Sequence, residues 1–314
     1  MTERIVVADI GGTHARFALA DRALMLSERR VFASREFTSS QALIDAYLAT
    51  LGERPVGVSI AVAGPVSDGR ADLTNASISF DARALEGRYG ATLVVNDFVA
   101  ASLGVPHAPP ETLHRIGAAE PRAGTRAVIG PGTGLGMGVL IEEGPGYRAL
   151  PSEGGHGDLA STDPLEHEVY QWLAAEHRFV SWETVLSGPG LVNLYRAVCS
   201  IWGTRAADLD PATITARAVD AHDPVCHQTL EIFCNLLGGA AGNLALTVCA
   251  EGGVYLCGGI VPAILAQLTA SHFRRRFESR GRLSDYARQI ATVAVTSPDL
   301  GLVGAAAVYW RHQT

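Results

Sequence analysis

The sequence predicts an α/β protein built from two domains, and three observations lead there. At 314 residues the chain exceeds one comfortable hydrophobic core. Strand-like and helix-like patterns alternate along its length. A strand–glycine turn–strand unit occurs twice, around Gly11 and around Gly132. No other short-period repeat is visible, and the paired units predict two related α/β domains facing a cleft.

The second unit is the clearer one. In GPGTGLGMG, residues 130–138, glycines fall at every second position, with Ala127, Val128 and Ile129 before them and Val139, Leu140 and Ile141 after. Glycine weakens a strand interior, so such a run marks a tight turn or a place where a ligand nears the main chain. The amides of such a turn can form a concavity for phosphate; a plain hairpin fits the same letters. The first unit, ADIGGTHARFALA at 8–20, has the same plan: a strand through Ile5, Val6 and Val7, the turn Gly11-Gly12-Thr13, and a strand through Phe17, Ala18 and Leu19. Two glycine hairpins could grip a phosphate tail from two sides. Only the first has a carboxylate, Asp9, just before its turn, and a lone carboxylate suits Mg²⁺, which takes one or two carboxylates plus waters and substrate phosphates.

The remaining elements follow in order. A third strand is expected at 30–37, then a helix capped by Ser39 or Ser40 and running to Leu51. A buried strand spans 57–63 and stops at Gly64-Pro65; a loop or short strand follows at 73–79, then a helix over 81–89 capped by Asp81. A buried strand at 92–95 ends in Asn96-Asp97 and leads into a helix to about Leu103. Pro106, Pro109 and Pro110 then break the pattern and mark a domain boundary. After the Gly130 hairpin and a return strand at 146–150, helices are expected at 164–177, 188–202, 211–221, 224–249 and 262–277, with strands at 252–256 and 291–295 and a last helix at 300–310.

Composition removes several function classes. Hydrophobic residues make up 47% and charged residues 18% of a chain with net charge −7, which describes a globular protein and not a nucleic-acid surface. All 25 basic residues are arginine. A P-loop, a protein-kinase ATP site and Schiff-base chemistry each need lysine, so any ATP here is held by backbone amides, a metal and arginine. The five cysteines lack a C-x-x-C pair and sit in apolar stretches, as reduced core residues of a cytosolic protein would. The first residues read as a strand with no signal peptide, and the apolar segment 236–249 is short for a membrane span.

Several side chains have two readings each. Asn96 and Asp97 end a buried strand, the usual place for active-site groups in α/β sheets. Either one caps the next helix, or an aspartate there accepts the proton of a sugar hydroxyl that attacks phosphorus. PSEGGHGDLA, 151–160, packs Glu153, His156 and Asp158 among three glycines. That mix of acceptors and a possible donor suits a polyol; a polar turn or a metal site are the alternatives, and no H-E-x-x-H occurs. Glu183, taken alone, is an ordinary surface glutamate. Gly258-Gly259 closes a strand and either lets a ligand approach or only turns the chain. Gly238, Gly239 and Gly242 give the long helix a bare face, for close packing or as an adenine platform.

In sequence order, DIGGTHARFAL, VNDF, GPGTGLG, SEGGHGD, ETVLSGPGLVNLYRA and CGGIVP resemble the bacterial glucokinases that are distinct from the repressor/sugar-kinase (ROK) group, over nearly the whole chain. The resemblance implies the actin-like (ribonuclease H-like) ATPase fold, two α/β domains with an interdomain cleft: 1–107 with 299–314 as the small domain and 108–298 as the large one. It implies phosphoryl transfer from ATP to the 6-hydroxyl of glucose, with Asp97 as catalytic base. Asn96, Asp97, Glu153, His156 and Glu183 become the sugar-binding set. Ala8, Asp9, Ile10, Gly11, Gly12 and Thr13 form the first phosphate hairpin, with Asp9 toward Mg²⁺. Gly132, Thr133 and Gly134 form the second, and Gly258 and Gly259 the adenosine-side turn. A cytoplasmic homodimer is implied too, with glucose and ATP as its partners and neither nucleic acid nor membrane. Three departures stand out: His14 where the family often has asparagine, Gly64 where some relatives have cysteine, and no cysteine-rich zinc motif, hence no structural zinc expected.

Two other readings remain in view. A kinase of mannose, fructose or glucosamine would use the same residues, since selectivity rests on single hydroxyls. A sugar sensor without turnover is disfavoured by Asp97 and by a first strand that starts at Ile5, ahead of which a DNA-binding helix pair has no room. A dinucleotide oxidoreductase needs G-x-G-x-x-G, and the run here is G-x-G-x-G.

Overall fold

The computed structural model describes residues 3–73, 78–144, 146–220 and 223–313. The chain divides into two compact units, Met1–Pro109 with Tyr147–Ala149 and Ser297–Thr314, and Pro110–Gly146 with Leu150–Thr296.

The first unit is a five-stranded sheet. Its strands are β1 (Arg4–Ile10), β2 (His14–Asp21), β3 (Leu26–Ala33), β4 (Gly57–Val62) and, after the small hairpin β5 (Arg70–Leu73) and β6 (Ile78–Asp81), β7 (Ala91–Asn96). The order is β3-β2-β1-β4-β7, with β1, β4 and β7 parallel. Burial on both faces explains the unbroken apolar run of β1. Val6, Ala8 and Ile10 enter one core, while Ile5 and Val7 enter a second with Ala61, Ala100, Leu302 and Tyr309. Helices α1 (Ser40–Leu48), α2 (Ala82–Tyr89) and α3 (Asp97–Gly104) and the C-terminal helix Leu300–His312 complete the unit. The oxygens of Ser39 and Asp81 cap α1 and α2.

The second unit repeats the plan. Its sheet runs β11-β10-β9-β12-β13-β8, from β8 (Leu113–Ile116), β9 (Arg126–Pro131), β10 (Leu135–Glu143), β11 (Gly146–Ser152), β12 (Gly253–Leu256) and β13 (Thr292–Val295). As in the first unit, an antiparallel hairpin (β9 and β10) adjoins a parallel set (β9, β12 and β13), and β8 is an added antiparallel edge. Around it lie α4 (Pro164–Glu176), α5 (Gly188–Ile201), α6 (Pro211–Val219), α7 (Pro224–Val248), α8 (Ile260–Ala263), α9 (Leu265–Ala270), α10 (Phe273–Glu278) and α11 (Ser284–Gln289). Among the described residues α7 alone is long and apolar enough to cross a membrane, but 67% of its most apolar window is buried inside the protein, as befits a core helix. Its bare glycine face is filled by packing: the Phe273 carbonyl lies against Gly238, and Arg280 donates to the carbonyl oxygens of Gly238 (3.2 Å) and Gly239 (2.9 Å). That leaves no adenine platform there.

Several elements differ from the sequence expectation. The third strand lies earlier, at Leu26–Ala33, because it is an exposed edge set by pairing with β2 rather than by burial. The residues after it turn, so that the buried Ser34 hydroxyl donates to the Gly11 carbonyl (2.7 Å). The helix expected at 262–277 is three short ones. Ile264 leaves helical geometry, and Ser271, extended, accepts from Phe273 N–H (3.1 Å) and donates to the Leu268 carbonyl (2.9 Å). Strand β8 and helix α11 carry little apolar pattern and were not expected. The segment expected at 73–79 lies largely outside the described residues, as does the expected end of α6 at Ala221.

Cys199, Cys226, Cys234 and Cys257 are buried, and burial pushes the thiols of Cys226, Cys234 and Cys257 up to about 12. Cys249 is exposed. Thiolate is the reactive form, so one cysteine should react rapidly with a disulfide reagent at neutral pH in the native protein, and all five in denaturant. A second fast native thiol would contradict this burial.

Candidate active site

In the first unit the candidate residues gather at the carboxyl ends of the parallel strands. Ile10 aligns with Val62 and Val62 with Asn96, so three parallel strands end side by side. Ligands bind at such carboxyl ends. The first glycine turn closes with Gly11 N–H on the His14 carbonyl (2.9 Å) and is buttressed by Ser34 N–H on the Thr13 carbonyl (3.0 Å). The His14 side chain itself is exposed at the start of β2. Asp9 stands opposite Arg16, with a loose pairing of 3.5 Å, and its carboxyl abuts Gly301 of the C-terminal helix. Burial raises the Asp9 pKa, and Arg16 opposes that rise.

Asn96, not Asp97, caps α3: its Oδ1 accepts from the N–H groups of Phe98 (2.9 Å) and Val99 (3.0 Å). Its Nδ2 donates to the Gly64 carbonyl (2.9 Å), where a φ of +118° favours glycine. Asp97 is the first helical residue, partly exposed, with Oδ1 accepting from Phe98 N–H at 2.8 Å. The side-chain cap is therefore supplied by its neighbour, and Asp97 holds the first-turn position beside it.

In the second unit three predicted segments come together. The turn at Gly132–Gly134 joins β9 to β10, and Gly188 N–H at the start of α5 donates to the Gly132 carbonyl (2.8 Å). Gly258 follows β12 with φ +89°, and a β-carbon there would lie 2.5 Å from the Pro131 oxygen, so only glycine fits beside the turn. Gly259 is exposed with open space around it. The loop Gly154–His156 is tied to the chain before α5 by Glu183 N–H on the Gly155 carbonyl (2.8 Å) and Trp182 N–H on the Gly157 carbonyl (3.0 Å). His156 Nδ1 lies 3.9 Å from Glu183 Oε1, while Glu153 and Asp158 are exposed beside them. The other Glu183 oxygen accepts from Leu135 N–H (2.7 Å). Sequence reasoning missed this bond, the Ser34 buttress and Gly301; each pairs residues far apart in the chain.

For a metal, no group of three or more His, Cys, Asp or Glu residues gathers among the described residues. Asp9 offers one partly exposed, loosely paired carboxylate beside a glycine turn. That donor set fits Mg²⁺ only when phosphate oxygens and water complete the shell, as is the habit of this ion.

The family model for glucokinase matches residues 6–312. The chain belongs to the glucokinase family. It is 42% identical to the glucokinase of Nitrobacter hamburgensis over 311 residues, covering 98% of this chain and 97% of that one. The crystal structure of a glucokinase from an Antarctic psychrotroph covers all of both chains, with a TM-score of 0.90 and 37% identity. A ROK family protein from Streptococcus pneumoniae shares the fold at a TM-score of 0.70 and 18% identity, covering 99% of each chain. The two repeated sheets are thus those of the actin-like sugar kinases. Members of the glucokinase family phosphorylate glucose with ATP, and this chain is an enzyme of that kind.

Proposed function

We propose that the enzyme transfers the γ-phosphoryl group of ATP to the 6-hydroxyl of glucose, with Asp97 as general base. The observation that supports the assignment is the place of Asp97: it is the first residue of α3, directly after the carboxyl end of β7, with a partly exposed carboxylate beside a helix cap that Asn96 supplies. As the 6-oxygen attacks phosphorus, its proton passes to Asp97, the new O–P bond forms, and the bond to the β-phosphate oxygen breaks to release ADP. Asn96, Glu153, His156 and Glu183 bind sugar hydroxyls. The hairpins Ala8–Thr13 and Gly132–Gly134 offer amides to the phosphates at their tips, Gly12 and Thr13 in the first and Thr133 and Gly134 in the second, and Gly258-Gly259 lets the adenosine side approach the main chain. With no lysine in the chain, those amides replace the usual cationic side chain. Mg²⁺, held by Asp9 and the phosphates of ATP, would neutralise charge on the transferred group. We also propose residues 1–107 with 299–314 as the small domain, 108–298 as the large one, and a cytoplasmic homodimer as the working form.

The experiment is sugar-dependent ADP release from Mg-ATP with glucose, mannose, fructose and glucosamine in parallel. Strong release with glucose and weak release with the others is the expected result, because a wrong epimer leaves pocket groups unpaired. Equal release with another hexose would move the substrate, and none with any sugar would favour a sensor.

A further inference from the structure

Glu183 is held more firmly than a sugar contact requires. Its own backbone is pinned on both sides: its N–H donates to the Gly155 carbonyl (2.8 Å), and its carbonyl accepts from the Ser187 hydroxyl (2.9 Å). Ser187 in turn caps α5 through Gly190 N–H (2.9 Å). From that fixed base the side chain reaches the glycine turn. Oε2 accepts from Leu135 N–H at 2.7 Å, and a β-carbon on Gly134 would sit only 2.5 Å from the same oxygen. Leu135 is itself buried at the start of β10, so its amide has no ready exchange of this carboxylate for water. Gly188 holds the other end of the turn through the Gly132 carbonyl. The outer side of the turn is open: Thr133 is exposed, and nothing stands within 4 Å of a β-carbon on Gly132.

We infer that Glu183 is a positioning residue for the nucleotide as well as a ligand of the sugar. One oxygen fixes the Leu135 amide and through it the conformation, closed by Gly132 N–H on the Gly134 carbonyl (2.8 Å), in which the Thr133 and Gly134 amides face a phosphate. The other oxygen, toward His156, is left for a sugar hydroxyl. A single carboxylate thereby ties the geometry of one substrate's site to the other's. Charge-assisted hydrogen bonds are the strong ones, and a buried amide left unpaired is costly, so the tie is stiff. The inference rests on the reading of this turn as a phosphate grip.

The test is nucleotide binding with no sugar present, where a group that only touches sugar has no effect. Calorimetric titration with a Mg²⁺ complex of a non-hydrolysable ATP analogue would compare the wild type with Glu183→Ala and Glu183→Gln. Loss of one hydrogen bond to a charged group should weaken sugar-free nucleotide binding about tenfold in Glu183→Ala. Glutamine keeps an acceptor oxygen for Leu135 N–H, so Glu183→Gln should recover nucleotide affinity to within about threefold while glucose binding stays weakened. Gly134→Ala, which keeps the carboxylate but displaces it, should weaken nucleotide binding as Glu183→Ala does, and guards against misfolding of that variant. Sugar-free affinity unchanged in both alanine variants would overturn the inference, and lost glucose binding alongside it would leave the sugar role intact. A glutamine variant as weak as the alanine one would also overturn it. Weakened nucleotide binding with glucose binding unaltered would support it and count against the sugar role instead.

Discussion

Replacing Asp97 with asparagine should lower kcat about 10²–10⁴-fold, the usual contribution of a positioned general base, and leave glucose affinity within a few-fold of wild type. Asparagine has the same shape and keeps an Oδ1 that can accept from Phe98 N–H, now 2.8 Å away. The α3 cap is untouched, since it belongs to Asn96. What asparagine cannot do is take a proton from an attacking hydroxyl. The loss should therefore fall on turnover and not on binding or stability, and a coupled ADP assay, glucose calorimetry and thermal melting would separate the three. Wild-type turnover in this variant would remove Asp97 from the base role; a matching loss of glucose affinity would make it a binding residue.

That separation was half legible in the sequence. The end of a buried strand pointed to Asn96-Asp97, but both residue types cap helices well, and only the observed start of α3 assigns the cap to Asn96. The two glycine hairpins were readable because bare turns between apolar runs leave few alternatives, and both sheets are built outward from them. Edge strands were not: β3 and β8 face solvent, so pairing rather than burial sets their limits. The Glu183–Leu135 bond spans 48 residues of sequence and joins a side chain to a backbone amide, which no residue pattern encodes. The glycines of the last helix, Gly301 and Gly304, were passed over for the same reason. A helical glycine signals that something lies close, without saying what.

What lies close to Gly304 gives the largest expected effect on stability. A β-carbon there would overlap the Ala100 carbonyl oxygen and come 2.5 Å from the Ala100 carbonyl carbon and 2.9 Å from the Gly104 nitrogen. All of these are backbone atoms of α3, so no side chain can rotate away. The fit is mutual, because a β-carbon on Gly104 would overlap the Leu300 carbonyl oxygen. The two helices therefore touch backbone to backbone, and alanine at 304 must push them apart within the core of Ile5, Val7, Ala100, Leu302 and Tyr309. Overpacking of a rigid contact costs about 1–3 kcal/mol and occasionally more; with backbone on the opposing side, Gly304→Ala should cost about 3 kcal/mol or more. Catalysis should fall as well, because Asp97 starts one of these helices and Asp9 lies against Gly301 of the other. The contrast is Gly87→Ala in α2, where nothing stands within 4 Å of the added carbon. That change removes a helix-interior glycine in open space and should raise stability by about 0.5–1 kcal/mol. Thermal and urea melts of the two variants should move in opposite directions. A Gly304→Ala protein that melts with the wild type would mean that α3 and the C-terminal helix yield at their contact, and the case for a rigid base beneath Asp97 would fall with it.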